Sequence, residues 1–406
     1  MAFVAVVQIG NYVLPLAVTP YLTRVLGPEK FGLISFAQTF IGYFSVFINY
    51  GFDLTATREI SINRDNPGAL SRTFSHLIVV KILLFLISTC LLFVSFAFSK
   101  FSSDASLYLV THLLNIGMVL FPMWFFQGLE KVKLLSILNF CIKLLFTIGI
   151  FVMIRHRSDY LYVNLLLSVS QIVIGVTAFS IAIRRFGVKF TGINMQYAWK
   201  LIREGFWVFF STAVVLAYTT TNIFLLGISA GNVEVGYFTV VYKIIMAVHA
   251  MVVLPINIAF FPFISRQFHE DPKKAVALFK KASIVLLLVT SVIAAGLFVL
   301  AKPIVLFFGA EYAAAIPIMR IMSILPVLLG LVNIWGFNGL VAIKQDKFFS
   351  AITATGATLS IGLNLLLIPR YGIHAAAQVW IMTEFIIFVS CFLVYRLKTK
   401  HISKLI

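Results

Sequence analysis

Runs of about 20 apolar residues recur along the whole chain, separated by short polar turns. A run of that length crosses the hydrocarbon core of a bilayer as one helix, at about 1.5 Å per residue. The pattern predicts twelve spans, over 2–22, 31–57, 71–98, 104–126, 133–154, 159–183, 204–228, 236–262, 282–301, 313–340, 347–369 and 373–395. The stretch from Tyr21 to Glu59 shows the plan most clearly. One apolar segment ends at Arg24, a turn built on Gly27, Pro28 and Gly32 reverses the chain, and a second segment runs to a polar cluster with Asp53, Arg58 and Glu59. That is a transmembrane hairpin.

The same turn recurs in the second half. Gly231 and Gly236 flank the turn between the seventh and eighth spans with the spacing of Gly27 and Gly32. Together with the matched span order, this predicts two six-helix lobes: an N-lobe over 1–185, a cytoplasmic linker over 186–203 and a C-lobe over 204–406 with a short cytoplasmic tail. An even number of spans per lobe makes both run the same way, related by an axis along the membrane normal.

Composition sharpens this. The 406 residues are 61% apolar and 11% charged, against about 25% charged in soluble domains. Such a surface belongs in lipid, so the fold class is an all-α polytopic membrane protein. The net charge of +18 invites a nucleic-acid partner, but its placement argues against one: Lys and Arg fall mostly in short loops, as cytoplasmic anchors do. With both termini in the cytoplasm, the predicted outside keeps only Arg24, Lys30, Lys100, Arg155, Arg157, Lys302 and Arg370. The inside then holds about three times as many basic residues. Met1 runs at once into AFVAVVQIGNYVLPLAV without a basic n-region, so no cleavable signal is expected, and a start upstream of Met1 stays open. Cys90, Cys141 and Cys391 lie in apolar runs, and the seven His form no HxxxH or HExxH pattern, so neither disulfides nor a metal site is expected. No Walker A pattern and no nucleophile–base spacing occurs, so an ATPase or other enzyme is not expected and no cofactor is implied.

Candidate chemistry lies in charges within spans. Lys81 and Lys143 fall near mid-depth, and Lys243 and Arg320 in the outer half. A cation at the bilayer centre costs on the order of 2.5–3.5 kcal/mol on insertion scales, so these side chains either snorkel or line a cationic, water-filled cavity. A pyrophosphate suits such a cavity because several cations share its charge. Glu384 lies deep in the last span, as a partner for Lys or Arg or as an ion-coupling site. Asp53 and Glu204 sit at span ends within reach of Arg58 and Arg203. Prolines at 15, 20, 122, 255, 262, 317 and 326 predict kinks, the first pair being a candidate hinge. Gln8, Asn11, Gln38, Asn49, Asn139, Asn222, Asn257, Asn333 and Asn364 read as interhelical hydrogen-bonding groups before sugar contacts.

NYVLPLAVTPYLTRVLGPEKFGLISFAQ and NYGFDLTATREIS resemble the lipid-linked oligosaccharide flippases, the Wzx-type O-antigen transporters of the multidrug/oligosaccharidyl-lipid/polysaccharide exporter superfamily. LFFGAEYAAAIPIMRIMSILP and LNLLLIPRYGIHAAA agree with it, and the resemblance covers nearly the whole chain. It implies two six-helix lobes around a central V-shaped cavity. It implies movement of undecaprenyl-diphosphate-linked repeat units from the cytoplasmic to the outer leaflet of a bacterial inner membrane by alternating access. Implied partners are that glycan, membrane lipid, and the polysaccharide polymerase and chain-length machinery. Arg24, within YLTRVLG, takes a substrate role by resemblance, beside Lys81, Lys143, Lys243 and Arg320, which rest on depth alone. Asp53, Arg58 and Glu59 mark the cytoplasmic mouth. The family's short basic N-terminal tail does not precede this stretch, and His374 stands where the family often has Gly.

A multidrug antiporter of the same superfamily is the nearest alternative, but a cavity for cationic drugs should be acidic. A membrane polymerase or ligase needs a substantial outside loop, and none is predicted here.

Overall fold

The computed structural model describes the backbone of residues 2–403 and, with it, the side chains of residues 17–399 other than 254, 255 and 258. Gln8, Asn11, Pro15 and Pro255 lie outside the residues whose side chains are described. All regular structure among the described residues is helical. Nine helices are long and apolar enough to cross a membrane, or ten when Ala310–Met322 and Leu325–Val341, bent by 42°, form one span. Two of the nine, Ala17–Ile62 and Asp346–Thr399, are 46 and 54 residues long, more than twice one crossing. Each reverses at a glycine: Gly27 at φ 71°, ψ 174°, and Gly372 at φ 55°, ψ −137°. Divided there, the segments number about twelve, and the chain is a multi-pass membrane protein.

Two compact units divide the chain, Met1–Thr220 and Thr221–Ile406. The boundary falls inside one helix, and the 186–203 segment lies wholly in the first unit.

In the first unit, α1 (Ala2–Asn49) bends at Gly27. It is followed by α2 (Phe52–Ile62), α3 (Pro67–Ser95), α4 (Ala105–His112), α5 (Leu114–Leu120), α6 (Met123–Gly128), α7 (Val132–Met153), α8 (Tyr160–Phe186) and the start of α9 (Met195–Ser229). Contacts sort the turns into two ends, as antiparallel spans require. At one end Tyr21 donates to the carbonyl of Ile154 at 2.6 Å, Lys30 lies 4.5 Å from the Tyr160 ring centroid, and Tyr160 donates to Asp104 at 3.4 Å. At the other, Tyr197 reaches Glu59 at 3.4 Å and Arg64 lies 3.9 Å from Glu130. Between them, α5 and α8 touch backbone to backbone. A Cβ on Gly117 would fall on the main chain of Gln171, and one on Gly175 on the carbonyl of Gly117. Small residues permit that approach in lipid, where packing rather than hydrophobic transfer drives helix association.

The second unit comprises the end of α9, α10 (Asn232–Glu270), α11 (Pro272–Val299), α12 (Ile316–Met322), α13 (Leu325–Val332), a π-helix over Asn333–Val341 and α14 (Asp346–Ser403). Gly231, at φ 97°, ψ 172°, reproduces the backbone of Gly27. The predicted kinks are resolved at Pro122, which separates α5 from α6, and at Pro317 and Pro326, which sit in the first turns of α12 and α13. Proline lacks the N–H a helix interior needs but fits a first turn.

The second span differs from expectation. The apolar pattern continues it to residue 57, but the helix ends at Asn49, where Tyr50 and Gly51 both take positive φ, 47° and 74°. Two left-handed residues in succession end a helix, so Asp53, Arg58 and Glu59 belong to the separate helix α2.

Candidate functional site

α2 buries Phe52, Ala56 and Ile60, four residues apart, and exposes Arg58 on its other side. Its buried stripe meets α6, where a Cβ on Gly128 would lie 2.6 Å from Ile60. The Tyr50 ring stacks on Phe209 of α9 at 4.6 Å, and Gly205 leaves space for the Tyr50 carbonyl. The pairings expected for the acids are replaced by nearer ones. Asn49 donates to Asp53 at 2.6 Å, and Glu204 sits 3.7 Å from Lys200. Lys200 lies one helical turn before Glu204 on the same face, whereas Asn49 reaches Asp53 across the break at Tyr50 and Gly51; Arg58 stands five after Asp53, and Arg203 adjoins Glu204 in sequence.

Lys81 is 1% exposed, and its ammonium donates to the Met118 carbonyl at 2.8 Å. Pro122, four residues after Met118, has no N–H to return to that carbonyl, so Lys81 satisfies the acceptor at the break between α5 and α6. Lys143, on α7, is half-buried and makes no hydrogen bond or ion pair among the described residues. Arg24 is exposed on α1, three residues before Gly27. Lys81, Lys143 and Arg24 thus occupy three different helices of the first unit.

In the second unit Lys243 is half-buried on α10. Its neighbour Tyr242 packs on Trp380 at 5.4 Å, and the Trp380 indole donates to Glu384 at 3.2 Å. Glu384 is buried at 4% exposure. Lys243 and Glu384 thus lie on two helices joined through Trp380, which packs on both Tyr242 and Phe238. Arg320 is exposed, with its guanidinium 5.9 Å from the ring centroid of Phe298, itself exposed.

A buried polar chain in the first unit is invisible in the sequence pattern. Ser45 donates to Asn115 at 2.7 Å, the Asn115 amide meets His112 Nδ1 at 3.1 Å, and His112 Nε2 meets Thr89 at 3.0 Å. Beside it Gln38 donates to Asn164, and Asn164 to Thr111, both at 2.7 Å. These bonds tie α1, α3, α4, α5 and α8. Each residue looks like an isolated polar substitution in an apolar run; only packing shows that they face one another. In the second unit Asn338 of the π-helix donates to Asn257 of α10 at 3.0 Å, the interhelical role expected of Asn257, and to Asn333 of its own helix at 2.8 Å.

No group of three or more His, Cys, Asp or Glu side chains suited to a metal occurs among the described residues. Residues 1–268 match the family described as "Polysaccharide biosynthesis protein". The chain belongs to this family. It is 30% identical over 387 residues, covering 94% of this chain and 92% of its relative, to a protein of Escherichia coli (strain K12) named "Putative O-antigen transporter". A protein of the same name from Shigella dysenteriae is 26% identical, with coverages of 93% and 94%. The fold is similar to that of the lipid II flippase MurJ in an inward closed conformation, with a TM-score of 0.78, 13% identity and coverages of 98% and 88%. A multidrug resistance MATE family transporter of the MOP superfamily, in an inward-facing conformation, gives 0.69 at 15% identity, with coverages of 97% and 96%. The family member is a membrane transporter of polysaccharide biosynthesis and not an enzyme.

Proposed function

We propose that this protein is a flippase for undecaprenyl-diphosphate-linked oligosaccharide repeat units of O-antigen or a related surface polysaccharide. It moves them from the cytoplasmic to the outer leaflet of the bacterial inner membrane by alternating access, with both termini cytoplasmic. The observation that carries the reading is the 30% identity, across 94% of the chain, to a relative named for O-antigen transport. The physical support is Lys143. A half-buried ammonium inside an apolar helix, without a protein partner among the described residues, is costly in lipid and is compensated by an anionic cargo.

Lys143 and Lys81 near mid-depth, with Lys243, Arg320 and Arg24 further out, then serve as successive cationic stations for the sugar-diphosphate. Asp53, Arg58 and Glu59 border the cytoplasmic entry. Glu384 serves as a charge partner or coupling group in the second unit. The lipid tail stays in the membrane while the polar headgroup passes, and polymerase and chain-length machinery receive the product.

The test is complementation. Strains lacking their own flippase, each making a different repeat unit, receive this gene and are scored for surface polysaccharide. Restored polysaccharide in at least one strain is the expected result. No restoration in any strain, with the protein present in the membrane, overturns the reading.

A further inference from the structure

We propose that Arg72 and Lys200 form a clamp for a diphosphate group, mounted on the ring of Tyr197 at the end of the first unit opposite Gly27. The Arg72 guanidinium lies 4.3 Å from the Tyr197 ring centroid and the Lys200 ammonium 5.8 Å from it, so the two charges stand no more than about 10 Å apart. Both side chains are exposed. Arg72 makes no ion pair among the described residues, and Lys200 has only the exposed contact to Glu204 at 3.7 Å, a pairing of the weakest kind.

The ring is held on several sides. Its hydroxyl shares a hydrogen bond with Thr73 at 2.9 Å and reaches Glu59 at 3.4 Å. Its ring centroid lies 4.9 Å from that of His76, edge to face. A strap without regular secondary structure, residues 187–194, fixes the approach of α9 to α3. The Lys189 amide donates to Ser71 at 3.1 Å, the Thr191 amide to Ser75 at 3.0 Å and the Asn194 amide to His76 Nε2 at 2.8 Å. His76 Nδ1 in turn donates to the Arg72 carbonyl at 2.6 Å. Arg72 and Lys200, far apart in sequence, are therefore brought to one ring by four hydrogen bonds to the same two turns of α3.

The chemistry fits one class of ligand. A guanidinium presents a planar fork to phosphoryl oxygens, and an ammonium presents a mobile point charge. Two cations within about 10 Å of each other can each meet one phosphoryl group of a diphosphate, which one headgroup phosphate does not offer. Cations that only anchor a helix end snorkel separately toward water; these two both lie against the Tyr197 ring, within range of its cation–π attraction. The inference rests on the proposed transport of a lipid-linked diphosphate and places its first contact at this clamp.

The test uses the full chain in nanodiscs of phosphatidylcholine, with fluorescent farnesyl diphosphate as probe. Arg72→Gln and Lys200→Gln should each weaken binding at least tenfold, with Arg72→Lys weaker than wild type but tighter than Arg72→Gln. Inorganic pyrophosphate should compete, and dioctanoyl phosphatidylglycerol should not. Unchanged affinity in both Gln variants, or equal competition by phosphatidylglycerol, overturns the clamp. In the unmodified protein the probe should slow labelling of Lys200 by an amine reagent, read by mass spectrometry; an unchanged rate also overturns it. Complementation by wild type alongside unaffected probe binding in the variants sinks the clamp alone. Probe binding that depends on both residues, with no complementation in any strain, supports the clamp and sinks the transport reading.

Discussion

The ammonium of Lys81 donates at 2.8 Å to the carbonyl of Met118, the acceptor that Pro122 deprives of its helical donor. The same residue is a candidate substrate contact, and the two roles separate experimentally. Lys81→Met leaves a buried carbonyl unsatisfied, at a cost of about 1–3 kcal/mol. Pro122→Ala returns an N–H to Met118 and should recover much of that loss in the double variant. A thermal-stability cycle on wild type, both single variants and the double variant checks this. Additive effects would show that Lys81 does not act through the proline break. Recovered stability without recovered export would show that its charge also serves transport.

Lys143 gives the opposite forecast. It holds no partner among the described residues, so Lys143→Ala should leave stability within about 0.5 kcal/mol of wild type. Export should fall about tenfold or more, the equivalent of one lost charge-assisted hydrogen bond. Lys143→Arg should retain most export. Normal surface polysaccharide in Lys143→Ala, at equal protein level, removes Lys143 from the substrate path.

The carboxylate of Glu234 accepts from the Ile373 amide at 2.8 Å, beside the left-handed Gly372. A Cβ on Gly372 would lie 2.5 Å from that carboxylate. Glu234→Ala should cost about 1–3 kcal/mol, the range for a hydrogen bond to a charged group, and Glu234→Gln less, since it still accepts. Gly372→Ala should destabilise through both the clash and positive φ. Melting of the purified variants in detergent ranks the three; Gln as damaging as Ala would show that the charge, not the turn bond, matters.

At the α5–α8 contact, Gly175→Val should destabilise by about 1–3 kcal/mol or prevent accumulation in the membrane, because overpacking forces backbone shifts. Gly296, where an added Cβ would meet nothing within 4 Å, is the control, and Gly296→Ala should be neutral. Equal behaviour of the two variants would contradict the close approach.

The strap over Lys189–Asn194 should loosen when Ser71, Ser75 and His76 are all replaced by Ala. Trypsin should then cut after the exposed Lys189 several-fold faster in native membranes, since local opening controls access. An unchanged rate would mean that the three side chains do not hold the segment.

The sequence by itself determined the membrane class, the spans, the turn glycines and the family. Each depends on local properties: length of an apolar run, its charge content, and the conformational freedom of Gly27 and Gly231. The prolines were legible in part: Pro122, Pro317 and Pro326 mark breaks, whereas Pro20 and Pro262 lie within continuous helix. What Lys81 touches was not, because a charge at a given depth looks the same whether it faces water, cargo or a proline-freed carbonyl 37 residues away. The end of the second span at Asn49 was equally hidden, since Tyr50 ordinarily continues a helix and takes positive φ only where its ring stacks on Phe209. The Tyr197 cluster and the chain from Ser45 to Thr89 join residues from separate helices. Only tertiary structure decided them, because side-chain partners are set by which faces of distant helices meet, and no spacing along the chain encodes that.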